Sequence, residues 1–482
     1  MKLFVVASEC VPFSKTGGLA DVIGALPKAL AARGHDVTVF LPRYRSTSPG
    51  LVAFSSLEIP LGKKFVSVDI QGGRVLDGVR YYFLDHPPFF DREELYTLKG
   101  ADYPDNAERF TLFSRAALEF LKRTGAPDVI HCHDWQSALI PALLRTGHAR
   151  HPQLGRVPVV FTVHNLAYQG VFTREALDRV GLPAELFDVD GLEFYGQVNF
   201  LKGGLVFADF ITTVSKKYAE EIHTPEYGHG LDGAVRDRAG SVVGILNGVD
   251  YSEWSPETDK FIAANYSAAN LNAKQVCKKD LLHQFGLRDT DLRKPLLGIV
   301  SRFATQKGFD LIEEIAEPLL KNDLLLVALG TGEPRFEEMF RLLAKKHPAK
   351  VAVRVGFDNA LAHKIEAGSD IFLMPSRWEP CGLNQIYSLR YGTVPVVRAT
   401  GGLDDTVEPF DIVTGQGTGF KFAPYTGAAF LESVLGALSV FDRPRYWRQL
   451  MKNGMAKDFS WERSAAEYEA LFQRVVKKPR SE

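Results

Sequence analysis

The sequence predicts two doubly wound α/β domains in tandem. Three observations carry this expectation. Strand-like apolar runs alternate with stretches of helical periodicity along most of the chain. Those runs are rich in Val and Ile and lack polar alternation, as in parallel sheets covered on both faces. The pattern then starts afresh after an irregular stretch, NGVDYSEWSPETDKFIAANYS, at 247–267. A length of 482 residues also exceeds one ordinary core, the usual expectation being roughly two to four domains.

The elements come in order. KLFVVAS is a short buried-strand run. LADVIGALPKALAARGH places apolar residues at helical spacing, with Gly34 where a helix stop belongs, and DVTVFLP is the next strand. Together they make one β-α-β unit. PDVIHCH, VPVVFTVH, ADFITTVS and VVGILNG continue the first domain. PLLGIVSR, DLLLVALG, VAVRVGF, DIFLMPS and VPVVRAT form the second. WERSAAEYEALFQRVVKKPRSE reads as a final helix fading into a basic tail. The expected division is 1–245, 246–458 and a terminal segment 459–482.

Composition narrows the function. Hydrophobic residues make up 45% and charged residues 24% of the chain, an ordinary globular balance. A net charge of −1 gives no long-range attraction to nucleic acid or an anionic membrane. Neither partner is expected, and positive charge for a phosphorylated ligand must be local. The four cysteines, Cys10, Cys132, Cys277 and Cys381, are far apart and form no C-x-x-C pair, which suits a reducing cytoplasm better than a disulfide framework. LFVVA is too short for a signal peptide, and Glu9 ends the apolar stretch soon after it. The run LLLVAL is far below the ~20 residues a membrane span needs.

Four stretches carry candidate chemistry. In SKTGGLADV (14–22), two glycines between a strand and a helix permit close backbone approach to an anion, and Lys15 adds a mobile charge. The same arrangement also suits an ordinary turn with a solvated lysine. In SRFATQKGFDL (301–311), Arg302 and Lys307 flank the carboxyl end of a strand, a place that suits a diphosphate or two solvated cations. GTGEP (330–334) is a further glycine turn on that edge. In PSRWEPCGLNQIYSLRYGTVPVVRATGGLDD (375–405), Glu379 precedes an expected helix start, where N–H groups of Cys381, Gly382 and Leu383 would point outward. A carboxylate beside free N–H donors suits a polyhydroxylated ligand, although Glu379 also reads as a helix-start carboxylate and Cys381 as a small buried hydrophobe.

The last stretch is HCHDWQSA (131–138), considered with VHNLAYQG (163–170). His131 and His133 share a strand face, but no further His/Cys cluster completes a metal site. His164 ends a strand and is either structural or part of the site. A short echo, TGGLADV (16–22) against TGGLDDTV (400–407), is either chance or two glycine turns serving one ligand.

KTGGLADV, HCHDW, VHNLAYQG, LNGVD, SRFATQKG and PSRWEPCGLNQIY with TGGLDDTV occur in order and at sensible spacing over nearly the whole chain. Together they resemble the bacterial glycogen synthases and the plant and algal starch synthases. The resemblance implies the GT-B fold, two Rossmann-like domains facing across a cleft with the final helix crossing back to the first. It implies a retaining transfer of glucose from ADP-glucose to the non-reducing end of an α-1,4-glucan, with no cofactor and no metal.

By the same resemblance, Lys15 meets the donor from the first domain, in a loop shaped by Gly17, Gly18 and Asp21. Arg302 and Lys307 hold the diphosphate. Glu379 orients the glucosyl hydroxyls with the N–H groups of Cys381, Gly382 and Leu383. His164 lies beside the anomeric carbon, Asn247 near the donor, and Phe357 against the adenine. Many related transferases carry a second glutamate eight residues after the first, where this chain has Tyr387.

The rivals are a UDP-glucose-dependent glucan synthase, a glucan phosphorylase, a nucleotide-sugar epimerase and a catalytically inactive glucan-binding protein. A phosphorylase needs a Schiff-base lysine, for which no motif stands out. An intact set of Lys15, Arg302, Lys307 and Glu379 argues against inactivity.

Overall fold

A computed structural model describes residues 1–149, 151–288 and 291–477. The basic tail expected at 478–482 lies outside the described residues. The chain divides into two units. The first comprises Met1–Val214, Ala219–Gly248 and the helix Trp461–Lys477. The second comprises Ser215–Tyr218 and Val249–Ser460.

The passage from first to second falls after Gly248 rather than after 245. The last helix is part of the first unit and not a separate segment. Its Tyr468 and Phe472 are fully buried in that unit's core beside Leu3, Val5 and Ile23. Each such side chain stabilises by roughly 1.5–3 kcal/mol. Ser464 Oγ donates to Leu246 O at 2.6 Å, and a Cβ on Gly248 would fall 2.6 Å from Trp461 Cα. That close approach requires glycine at 248.

The first unit is built on a nine-stranded sheet. Its strands are β1 Lys2–Val6, β2 Asp36–Pro42, β3 Val52–Leu61, β4 Lys64–Leu76, β5 Val79–Asp85, β6 Val129–His133, β7 Val159–Val163, β8 Phe210–Thr213 and β9 Val242–Gly244. The spatial order is β9-β8-β7-β6-β1-β2-β5-β4-β3. Pairing from β9 through β5 is parallel. β3 and β4 add an antiparallel arm that a reading of continuous apolar runs does not find. In β3 exposure alternates, with Leu57, Ile59 and Leu61 buried and Glu58 and Pro60 exposed. This is the period-2 pattern of a half-covered sheet.

β1 lies between β2 and β6, with Val5 opposite both Val39 and His131. The chain leaves β1 toward one side and later returns on the other. The loops after β1 and β6 therefore diverge, leaving a crevice at the carboxyl ends of the strands. The helix after β1, Gly18–Ala32, buries Leu19, Ile23, Leu26 and Leu30 at helical spacing, and Gly34 comes after it at φ +88°.

The second unit carries a six-stranded parallel sheet. Its strands are β10 Leu296–Val300, β11 Leu325–Gly330, β12 Val351–Val355, β13 Ile371–Met374, β14 Val394–Arg398 and β15 Phe420–Phe422. The order is β12-β11-β10-β13-β14-β15. Here the switch in strand order falls between β10 and β13, so the loops after these two strands flank the second crevice. No helix among the described residues is long and apolar enough to cross a membrane.

Candidate active site

Each crevice collects the motif residues of its own unit. In the first, the loop after β1 is organised from beneath by Glu9. Its buried carboxylate accepts from the backbone N–H and hydroxyl of Thr16 and from the N–H of Gly17 at 3.3 Å. Burial raises the Glu9 pKa above the usual carboxylate range, and the bonds from Thr16 and Gly17 work against that rise.

Above this anchor Lys15 Nζ lies 2.6 Å from Asp21 Oδ1, with both side chains substantially exposed. Asp21 stands in the first turn of the next helix, where a negative charge is favoured. Neither Gly17 nor Gly18 has positive φ, and a Cβ on Gly18 would meet nothing within 4 Å. Their smallness keeps space open rather than relieving a clash inside the protein.

The TGGLDDTV echo has a different internal reason. A Cβ on Gly401 would lie 2.0 Å from Glu379 O, and one on Gly402 would lie 2.0 Å from Cys381 O. Those glycines let this turn pack on the 379–381 backbone, so the two similar stretches do different local work. In GTGEP, Gly330 and Gly332 likewise face the Ser301 and Phe303 carbonyls. These glycines let the turn pack closely on the loop after β10.

At the ends of β6 and β7, His133 Nδ1 is 3.0 Å from His164 Nε2, and His131 Nε2 is 2.7 Å from Thr162 Oγ1. Burial holds all three imidazoles neutral, taking His131 and His164 down to about 3. Asp134 has left-handed backbone, φ +54°, uncommon for a non-glycine residue. Its Oδ1 accepts from the His164 backbone N–H at 2.8 Å. Burial pushes its carboxyl up to about 7 despite that bond. Asn247, after β9, is buried, and its Oδ1 has no hydrogen-bond partner among the described residues.

In the second unit, Lys307 Nζ lies 2.6 Å from Glu379 Oε2, and Ser376 Oγ donates to the same oxygen at 3.0 Å. Lys307 ends a single helical turn, and Gly308 comes next at φ +76°. A Cβ on Gly308 would lie 2.0 Å from Pro375 O, so glycine lets the loops after β10 and β13 touch. Arg302 is exposed on the same β10 loop.

Past Glu379 the helix begins at Asn384, with Leu383 as its N-cap, slightly later than the sequence pattern suggests. Cys381, Gly382 and Leu383 form the turn before it. Gly382 has φ +71° and Cys381 is buried. Gln385 Nε2 donates to the carbonyls of Cys381 and Gly382 at 3.1 and 3.0 Å, fixing the turn.

Phe357 comes after β12 and is 88% exposed. Its neighbour Asp358 accepts from Leu361 N at 2.9 Å and starts the next helix. Tyr387 does not stand in for the absent glutamate. Its ring stacks on Trp254 at 3.9 Å between centroids, and Trp254 stacks on His363 at 3.7 Å.

Lys15, Gly17, Gly18, Asp21, His164 and Asn247 thus lie at the carboxyl edge of the first sheet. Arg302, Lys307, Phe357, Glu379, Cys381, Gly382 and Leu383 lie at that of the second. Glu9 and Asp134 are neighbours of the site that sequence reasoning misses, and His133 is weighed there only as a metal ligand. A carboxylate set inside the apolar run FVVASECVPF is the available signal for Glu9. Among the described residues no group of three His, Cys, Asp or Glu side chains is placed to hold a metal ion.

Comparison with known proteins agrees with this two-part arrangement. The family model described as starch synthase catalytic domain matches residues 2–237, and that of glycosyl transferases group 1 matches residues 287–452. The chain is 57% identical over 477 residues to a glycogen synthase of Koribacter versatilis (strain Ellin345), covering 98% of each chain. It is 51% identical to one from Anaeromyxobacter sp. (strain Fw109-5), covering 99% of this chain and 100% of the relative. Among solved structures it is similar to the catalytic domain of starch synthase IV from Arabidopsis thaliana bound to ADP and acarbose. That match has a TM-score of 0.89 and 35% identity, and covers 99% of both chains.

Proposed function

The chain belongs to the glycogen synthase family, and from that premise we propose that it transfers glucose from ADP-glucose to the non-reducing end of an α-1,4-glucan with retention of configuration. The family and the GT-B architecture carry glycogen synthesis from a nucleotide sugar. The choice of ADP-glucose draws its support from the ADP-bound plant neighbour.

The observation that carries the chemistry is the Lys307–Glu379–Ser376 cluster at the switch point of the second sheet. Breaking the glucose–phosphate bond leaves an oxocarbenium-like anomeric carbon and a negatively charged diphosphate. Lys307 and the exposed Arg302 supply fixed positive charge to the diphosphate, and Lys15 adds its charge to the same donor. Glu379 accepts from glucosyl hydroxyls and favours the positive sugar. Cys381, Gly382 and Leu383 offer backbone N–H groups beside it. Phe357 supplies an exposed face on which adenine stacks. Asn247 Oδ1 offers an unfilled acceptor to a ligand hydroxyl.

When the acceptor hydroxyl attacks from the leaving-group side, the departing phosphate takes its proton and no protein base is needed. With three cations assigned to the donor, the scheme gives no role to a metal ion. Bacterial relatives and four buried cysteines, none in a disulfide, suit the reducing bacterial cytoplasm as the place of action.

The test is a donor competition with glycogen as acceptor. At equal concentrations of ADP-glucose and UDP-glucose, incorporation from ADP-glucose should dominate. Dominant incorporation from UDP-glucose would transfer the proposal to the uridine donor.

A further inference from the structure

Three imidazoles stand in series inside the first unit. The His131 and His133 rings are 4.0 Å apart between centroids, and those of His133 and His164 are 5.3 Å apart. Tyr468 and Phe472 of the final helix also pack against His131, at 5.3 and 5.4 Å between centroids. His131 and His133 are buried. Two neutral rings joined by a 3.0 Å contact between His133 Nδ1 and His164 Nε2 share one proton there: one ring donates, the other accepts.

The buried end of the series decides which. His133 Nε2 is buried and has no hydrogen-bond partner among the described residues. If His164 donated, His133 would carry its proton on Nε2, a buried N–H without an acceptor. Orphaned buried N–H groups are rarer in folded proteins than under-satisfied acceptors, and leaving one unpaired costs about 1–3 kcal/mol. His131 repeats the pattern. Its Nδ1 is also buried and has no partner among the described residues. With its proton on Nε2 it donates to Thr162 Oγ1, which lies 2.5 Å from Thr212 Oγ1.

We infer that His133 is a positioning residue whose Nδ1–H holds His164 as the Nδ1–H tautomer, so that His164 offers the sugar a hydrogen-bond donor and not a base. The inference rests on the proposed glucosyl transfer, and deepens it. His164 Nδ1 makes no hydrogen bond to the described residues. Asp134 Oδ1 takes the His164 backbone N–H and not a ring N–H. A ring nitrogen that carries its proton toward the substrate cannot remove one from the acceptor hydroxyl. That step falls to the departing phosphate. The neutrality of the series, enforced by burial and mutual repulsion, keeps the assignment unchanged at ordinary pH.

The experiment has two readouts. Multiple-bond proton–nitrogen correlation spectra of protein labelled with 15N-histidine, with His164 signals identified through His164→Asn, report the tautomer directly. The expected pattern is protonated Nδ1 and bare Nε2 at His164, and the reverse pattern overturns the inference. This readout stands even if no glucosyl transfer is detected, so it separates from failure of the proposed reaction.

In kinetics, His133→Leu removes the donor, while His133→Asn keeps an amide N–H where Nδ1 stood. The leucine variant should lose on the order of 10- to 100-fold in kcat with donor KM changed less than about twofold. The asparagine variant should recover most of that loss. Equal losses in the two variants, or an undiminished kcat in the leucine variant, contradict the positioning role.

Discussion

Lys307 and Glu379 form an ion pair, Nζ to Oε2 2.6 Å, between the loops after β10 and β13 at the switch point of the second sheet. Glu379 is 6% exposed. Lys307 and Ser376 together hold its carboxyl group at the crevice and fix its orientation. In the proposed transfer, an arriving diphosphate competes for Lys307 and leaves Glu379 directed at the sugar.

Replacing the charge tests this arrangement. Glu379→Gln keeps shape and hydrogen-bonding capacity but cannot favour a positive anomeric carbon. The expected result is a fall in kcat of about 100- to 1,000-fold with donor KM little changed. Stability should fall by about 1–3 kcal/mol, because Lys307 loses its partner's charge at a buried position. Steady-state kinetics with a denaturant melt separate the two effects. Near-normal turnover would return Glu379 to a purely local role at the turn.

Lys15→Ala should act on the reaction and not on folding. Lys15 is exposed and its pairing with Asp21 is a surface ion pair, a kind of contact that contributes little to stability. Loss of a charge that binds the transition state more tightly than the ground state should raise the barrier by roughly 2–4 kcal/mol. A folded variant with unchanged kcat and KM would remove Lys15 from the mechanism.

Glu9→Gln tests whether the loop that carries Lys15 is held from below. The amide retains one carbonyl oxygen for donors that now converge on two carboxylate oxygens, Thr16 N–H and hydroxyl and Gly17 N–H. Stability should drop by about 1–3 kcal/mol. Donor KM should rise together with the drop, since the loop loses its set position. A change in neither would mean that the loop keeps its shape without the charge.

The buried histidines give an acid limb to stability. Burial, then repulsion from His164, lowers His131 from 6.5 to about 3 in the folded protein. The unfolded chain therefore binds more protons as pH falls below 6.5, and the folded state loses ground. The contribution is fully present above the unfolded value and shrinks toward the folded one, by about 2 kcal/mol between pH 6.5 and 5. Asp134, raised to about 7 by burial, works in the opposite sense: its contribution is present at acid pH and is lost as pH rises through that value. Comparison with His131→Gln, whose amide can still reach Thr162, isolates the histidine. The wild-type melting temperature should fall more steeply than the variant's over that range. Parallel slopes would show that His131 does not titrate in unfolding.

Much of this is legible in the chain. DVTVFLP forms a strand over the whole of its span, Asp36–Pro42, because its β-branched, mostly apolar residues suit a strand largely covered on both faces. The glycine loops and strand-end residues come from the same pattern, since parallel sheets place loops at one edge. The antiparallel arm β3–β4 escapes a search for continuous apolar runs because its alternation is the mark of a half-exposed sheet. In the sequence Glu9 is only a break in an apolar run, and the folded loop alone shows Thr16 and Gly17 converging on it. The left-handed backbone of Asp134 and the stack of Tyr387, Trp254 and His363 depend on tertiary placement that local sequence does not encode.

Glucosyl transfer to a glucan is measured as ADP release from ADP-glucose with and without glycogen, with NMR of the product linkage. Steady ADP release should require glycogen, and new α-1,4 linkages at chain ends should match the ADP formed. ADP release that proceeds equally without glycogen, or no release with it, would contradict glucosyl transfer by this chain.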